Sequence, residues 1–158
     1  MFTSLGIGPP QFLIILQVVV AMVLGAVIGY DRQLADKPAG LRTHMLVSGA
    51  AALFIGLGNL AVAKFHAAFA DTTVRSDPIR LFEAIITGVS FLGAGTIIRR
   101  TASERVEGIT TAASLLITAA LGATIGLGQW FLGIVLTLIV FFILHLTRWF
   151  KPGPPGQD

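Results

Sequence analysis

GYDRQLADKPAGLRTHML (Gly29–Leu46) decides how this chain folds. Apolar sequence runs up to it from Gln11 and away from it to Val62, yet within it five charged residues and a histidine are crowded together. Each flanking run approaches the roughly 20 helical residues that a bilayer core of about 30 Å requires. The stretch therefore reads as the polar connection between two membrane-spanning helices, Gln11–Gly29 and His44–Val62. Leu81–Ile98, Ile109–Leu127 and Trp130–Leu146 are further runs of the same kind, and the only charge well inside any of the five is Glu83. The expected fold is all-α: a polytopic membrane helix bundle of five transmembrane helices, forming a single domain over residues 1–150. A Pro/Gly-rich tail, 151–158, is expected to be disordered.

Composition agrees. Of 158 residues, 54% are hydrophobic and 12% charged, against about 25% charged in soluble domains, and mean hydropathy is +0.84. The net charge of +3 does not point to nucleic acid, because the basic residues flank apolar runs instead of forming a face. The absence of cysteine excludes disulfides and thiolate metal sites. The N-terminal MFTSLGIGPPQ has no Lys or Arg to serve as the basic region of a signal peptide, so the first run reads as a retained helix.

Orientation follows from the basic residues in the short connections. One side of the membrane holds Lys64, Arg75 and Arg80; the other holds eight, namely Arg32, Lys37, Arg42, Arg99, Arg100, Arg105, Arg148 and Lys151. This places the N-terminus outside and the C-terminus in the cytoplasm. Trp130 and Trp149, about 28 Å apart on a helix, suit one tryptophan at each interface.

Sliding the chain along itself by 68 residues lays LGAVIGYDRQLADKPAGLRT (Leu24–Thr43) over LGAGTIIRRTASERVEGITT (Leu92–Thr111) without a gap, and ten of the 35 positions from Leu24 to Gly58 are identical. An internal two-helix duplication is expected, with units at about 12–62 and 80–128 and a fifth helix at 130–149. Parallel copies place both charged loops on one membrane face, in agreement with the charge count.

The dense polar motifs then converge at the cytoplasmic side: Asp31, Arg32, Lys37, Arg42, Thr43 and His44 from the first unit, Arg99, Thr110 and Thr111 from the second. Charges at this depth are costly unless paired or hydrated, and the repeat brings Asp31 opposite Arg99, so an Asp31–Arg99 pair is expected. Glycines at Gly25, Gly29, Gly93, Gly95, Gly122 and Gly126 stand among small residues, several at intervals of four, a spacing that lets membrane helices approach closely. Glu83 and Asn59 lie near the outer surface.

KPAGLRTHMLVSGAAAL (Lys37–Leu53), GVSFLGAGTIIR (Gly88–Arg99) and VEGITTAAS (Val106–Ser114), together with GYDRQ (Gly29–Gln33), resemble the signature segments of the MgtC/SapB family in order and spacing. The resemblance implies a small bacterial inner-membrane protein linked to growth under magnesium limitation and, in pathogens, to survival inside host cells. It carries the family's acidic–arginine pair onto Asp31 and Arg32, and its basic loop and helix start onto Lys37, Pro38, Gly40, Arg42, Thr43 and His44. Longer members add a soluble, ACT-like domain after the membrane part, to which this sequence corresponds.

Three functions are weighed. A non-enzymatic modulator would act through contacts with other membrane proteins, and a homodimer through the small-residue faces is expected. A Mg²⁺ or other ion transporter is the alternative, but Mg²⁺ sites use carboxylates and retained waters, whereas Asp31 lies among arginines. Those arginines, Arg32, Arg42 and Arg99, suit an anion such as a lipid phosphate better. Nothing resembles a catalytic constellation, so neither an enzyme nor a tightly bound cofactor is expected, with Mg²⁺ as the one candidate ion.

Overall fold

Both ends of the Gly29–Leu46 stretch are helical in the computed structural model of the chain, which describes residues 9–68, 78–99 and 106–149. Helix α1 (Pro9–Leu34) takes in Asp31 and Arg32, and α2 (Leu41–Ala68) begins before Arg42, leaving a connection of only Ala35–Gly40. The turn is made by Asp36 in the left-handed region (φ 51°). Lys37 N donates to Arg32 O and Asp36 N to Gln33 O, both at 3.1 Å, the paired bonds of a Schellman helix ending. The same device ends α4 (Ile109–Gly126): Gly128 is left-handed (φ 77°), Gln129 N reaches Thr124 O at 3.1 Å and Gly128 N reaches Ile125 O at 2.9 Å. Helix α5 (Trp130–Trp149) follows at once.

Helices α1 and α2, at 26 and 28 residues, run longer than the apolar runs that marked them, about 39 and 42 Å. Their polar ends therefore continue as helix into the interface rather than unwinding into loops. Among the described residues four helices are long and apolar enough to cross a membrane, and the apolar part of α5, Trp130–Leu146, is shorter.

The connection from α3 (Pro78–Thr96) to α4 holds an element the apolar pattern does not announce. Ile98–Arg99 (β1) pairs antiparallel with Val106–Glu107 (β2), Ile98 opposite Glu107 and Arg99 opposite Val106. Gly108 then turns into α4 at φ 95°, where a Cβ would collide with the carbonyl of Thr96.

Helix α4 is the centre of the bundle, in contact with α1, α2, α3 and α5. Leu115 and Ala119 pack with Val47 and Ala51 of α2, Ile125 with Ala21 of α1 and Ala52 of α2, and Leu121 with Ile28 of α1 and Val140 and Leu144 of α5. In the α4 span 56% of residues are buried, against 11% in α3, which leans on the bundle from outside.

Small residues set these distances. A Cβ on Gly122 would meet the backbone of Ser48, and one on Gly126 would stand 2.9 Å from Ala52 O. Gly25 and Gly29 give α2 the same close approach to α1, at His44 O (2.6 Å) and the Leu41 Cα (2.8 Å), and Gly93 seats Ala112 at 3.2 Å. A Cβ built on Gly95, expected to pack in the same way, would meet no neighbouring helix within 4 Å among the described residues. Gly25 against His44 and Gly93 against Ala112 are contacts separated by the same 68-residue offset found in the sequence. The tail at 151–158 and Arg75, Arg100, Arg105 and Lys151 lie outside the described residues.

Candidate functional site

The last turns of α1 carry an acid and a base in succession, and both point inward: Asp31 is 2% exposed and Arg32 3%. Neighbouring helical residues do not face one another, but the long guanidinium folds back, and Arg32 Nη2 donates to Asp31 Oδ2 at 2.6 Å. The same nitrogen lies 3.4 Å from the Leu144 carbonyl of α5. Asp31 Oδ1 stands 3.5 Å from His145 Nδ1, also on α5. The His145 ring is half exposed and stacks on Phe141, with centroids 5.6 Å apart and an interplanar angle of 12°. The pair thus ties the end of α1 to the last part of α5. The side chain of Arg99, the expected partner of Asp31, lies outside the described residues, so the Asp31–Arg99 pair does too.

One turn into α2, His44 is fully buried. Its Nδ1 is 2.9 Å from Gly40 O, and a carbonyl can only accept, so Nδ1 carries a proton. In the neutral ring Nε2 is then an acceptor, 3.1 Å from Ser114 Oγ on α4. The Thr111 carbonyl, 2.8 Å from Ser114 Oγ, competes for that hydroxyl's single proton. Thr118 and Ser48, both fully buried, extend the polar strip along α4 and α2 away from the Asp31–Arg32 pair; Thr118 Oγ1 donates to Ser114 O at 2.7 Å.

Three buried polar atoms in this region have no hydrogen-bond partner among the described residues: Arg32 Nε, Ser48 Oγ and Thr111 Oγ1. An unmade bond in a membrane interior is expensive, and atoms of this kind are what ordered water satisfies.

The nine polar residues marked by the sequence therefore divide. Asp31, Arg32, His44 and Thr111 are buried together between α1, α2, α4 and α5; Lys37 and Thr43 are half-buried, and Arg42 and Thr110 are exposed. An anion seat shared by Arg32 and Arg42 does not form, because Arg32 is turned inward onto Asp31 and Arg42 outward. Sequence reasoning did not single out Ser48, Ser114 or His145 as members of the site. Ser48 could have been found from its place one turn beyond His44 on the same helix face; His145 carried no comparable signal. Among the described residues no group of three or more His, Cys, Asp or Glu could hold a metal ion.

The description "MgtC family" belongs to the family model that matches residues 18–152. YhiD of Escherichia coli (strain K12), provisionally named a magnesium transporter, is 40% identical over 138 residues, covering 83% of this chain and 60% of that protein. SrpB of Synechococcus elongatus is 42% identical over 141 residues, covering 85% of the chain and 73% of SrpB. MgtC of Salmonella typhimurium (strain LT2) is 40% identical over 138 residues, covering 87% of the chain and 54% of that protein. The chain thus spans a little over half the length of MgtC and three-fifths that of YhiD. No solved structure matches.

Proposed function

The chain belongs to the MgtC family, and from that premise we propose that it is a non-enzymatic modulator in the bacterial inner membrane, with a role tied to magnesium and without ion transport of its own. The buried Asp31–Arg32 pair carries this reading. Among the described residues Asp31 is the only buried acid, and its charge is already opposed by a guanidinium at 2.6 Å. A hydrated divalent cation needs carboxylate charge that is free to bind it. Here the nearest fixed charge is positive. The eight-to-three distribution of basic residues supports an N-terminus outside and a C-terminus in the cytoplasm, which sets the polar site at the cytoplasmic face.

A second reading, an ion transporter, draws on the partnerless buried atoms of Arg32, Ser48 and Thr111, which could line a wet path, and on the name given to YhiD. Mg²⁺ flux into proteoliposomes separates the two. The expected result is that folded protein gives no more flux than empty liposomes. Flux above that background that is lost in Asp31→Asn would overturn the modulator reading and make the pair a gate.

A further inference from the structure

The helices do not meet the surrounding bilayer alike. The outward faces of α1 and α5 are bulky and apolar, as at Phe12, Val19, Val23, Leu138 and Phe142. The outward face of α3 is of another kind. At about 100° per residue, Arg80, Ala84, Thr87, Gly88, Phe91 and Gly95 fall within about 100° of arc, and all six are exposed. Glu83 borders them and is exposed as well. Among the described residues neither Arg80 nor Glu83 makes an ion pair. Lipid is a poor neighbour for this surface: Glu83 stands within an apolar run, where a charge turns toward protein or water, and bare glycines on a membrane helix mark the place where another backbone comes close.

We propose that this face of α3 seats a second copy of the chain, the two α3 helices crossing at a two-fold axis along the membrane normal. A two-fold interface brings the same patch to both sides, so the patch must complement itself. Three features of α3 do so. Ala84 and Gly88, small residues four apart, allow the backbones to close, and among the described residues a Cβ built on Gly88 meets no other part of the chain within 4 Å. Arg80 and Glu83, opposite charges within one turn, can each pair with the other in the second copy. Phe91 is 80% exposed and stands level with an apolar groove of about 380 Å³ between α2 and α3, walled by Gly88 and Leu92 on one side and Leu46 and Phe54 on the other. In the dimer each Phe91 enters the groove of the other copy. The glycines Gly25, Gly29, Gly122 and Gly126 do not offer such a surface, because each is already in contact with a neighbouring helix of its own chain. A dimer built on those glycine faces is replaced by one built on α3.

The chain has no cysteine, so single ones can report on the interface in native membranes. Under mild oxidation Ala84→Cys and Gly88→Cys are expected to give disulfide-linked dimers, while Leu138→Cys on the apolar face of α5 stays monomeric. Within the Ala84→Cys chain, Glu83→Arg should lower the dimer yield and Arg80→Glu added to it should restore the yield. Ala84→Cys exchanges one small side chain for another at an exposed position, so its result does not hang on refolding. Cross-linking at α3 no greater than at Leu138→Cys, cross-linking of α3 only to a different protein, or no recovery in the charge-swapped chain would each overturn the proposal.

Discussion

Asp31 and Arg32 are most useful when considered as one group with no net charge. Asp31→Asn leaves a buried guanidinium unpaired, and breaking such a pair costs about 3–5 kcal/mol. Neutralising both, Asp31→Asn with Arg32→Gln, removes the uncompensated charge, and the double variant should lose less stability than the two single variants summed. Thermal unfolding of the four proteins in one detergent measures this. Additive losses would mean that the two side chains stabilise the bundle independently. The two charges were legible in the sequence because charges are conspicuous in an apolar chain, but the pairing read from it was Asp31 with Arg99 and not with Arg32. Arg32 answers its own neighbour and also reaches the α5 carbonyl at Leu144, and that second contact depends on how α5 lies against α1. Ser48 and Ser114 were harder still, because a hydroxyl in a membrane helix commonly bonds its own backbone one turn back and gives no outward sign of a cross-helix partner such as His44.

At the scale of elements, two helix endings of identical hydrogen bonding use different residues at the left-handed position, Asp36 after α1 and Gly128 after α4. Left-handed backbone costs most side chains about 1–2 kcal/mol, less for Asp than for Ala. Asp36→Gly is therefore expected to stabilise the protein by about 0.5–1 kcal/mol and Gly128→Ala to destabilise it by about 1 kcal/mol. Opposite shifts of the unfolding midpoint would bear this out, and shifts of one sign would count against it. Hydropathy located all five helices, since apolar length is what a bilayer demands. It placed the ends of α1 and α2 short, because it registers where lipid contact stops and not where helical hydrogen bonding stops. The β1–β2 ladder was invisible to it: two residues per strand carry no periodicity.

At the scale of the molecule, sidedness is open to direct measurement. Gln129→Cys, at the exposed turn between α4 and α5, should react with a membrane-impermeant maleimide from outside the cell, and Pro38→Cys only after permeabilisation. The reverse pattern would invert the orientation and place the Asp31 site outside. The central position of α4 was not readable from the sequence, where its apolar length matches that of its neighbours; what distinguishes it is Ser114, Thr118, Gly122 and Gly126 at intervals of four, a strip that four other helices can approach. The way the site is divided also bears on how the chain is made. Asp31 and Arg32 adjoin in sequence, so their pair closes as soon as α1 has formed, and the first helix enters the bilayer from the ribosome with its two charges already cancelled. His44 has such an early partner on one side only, the Gly40 carbonyl; Ser114, on the other, is seventy residues away and emerges only after α3 has been synthesised. A nascent chain holding α1 and α2 alone would carry a buried imidazole with one side unmet, and the arrival of α4 is the event that completes it.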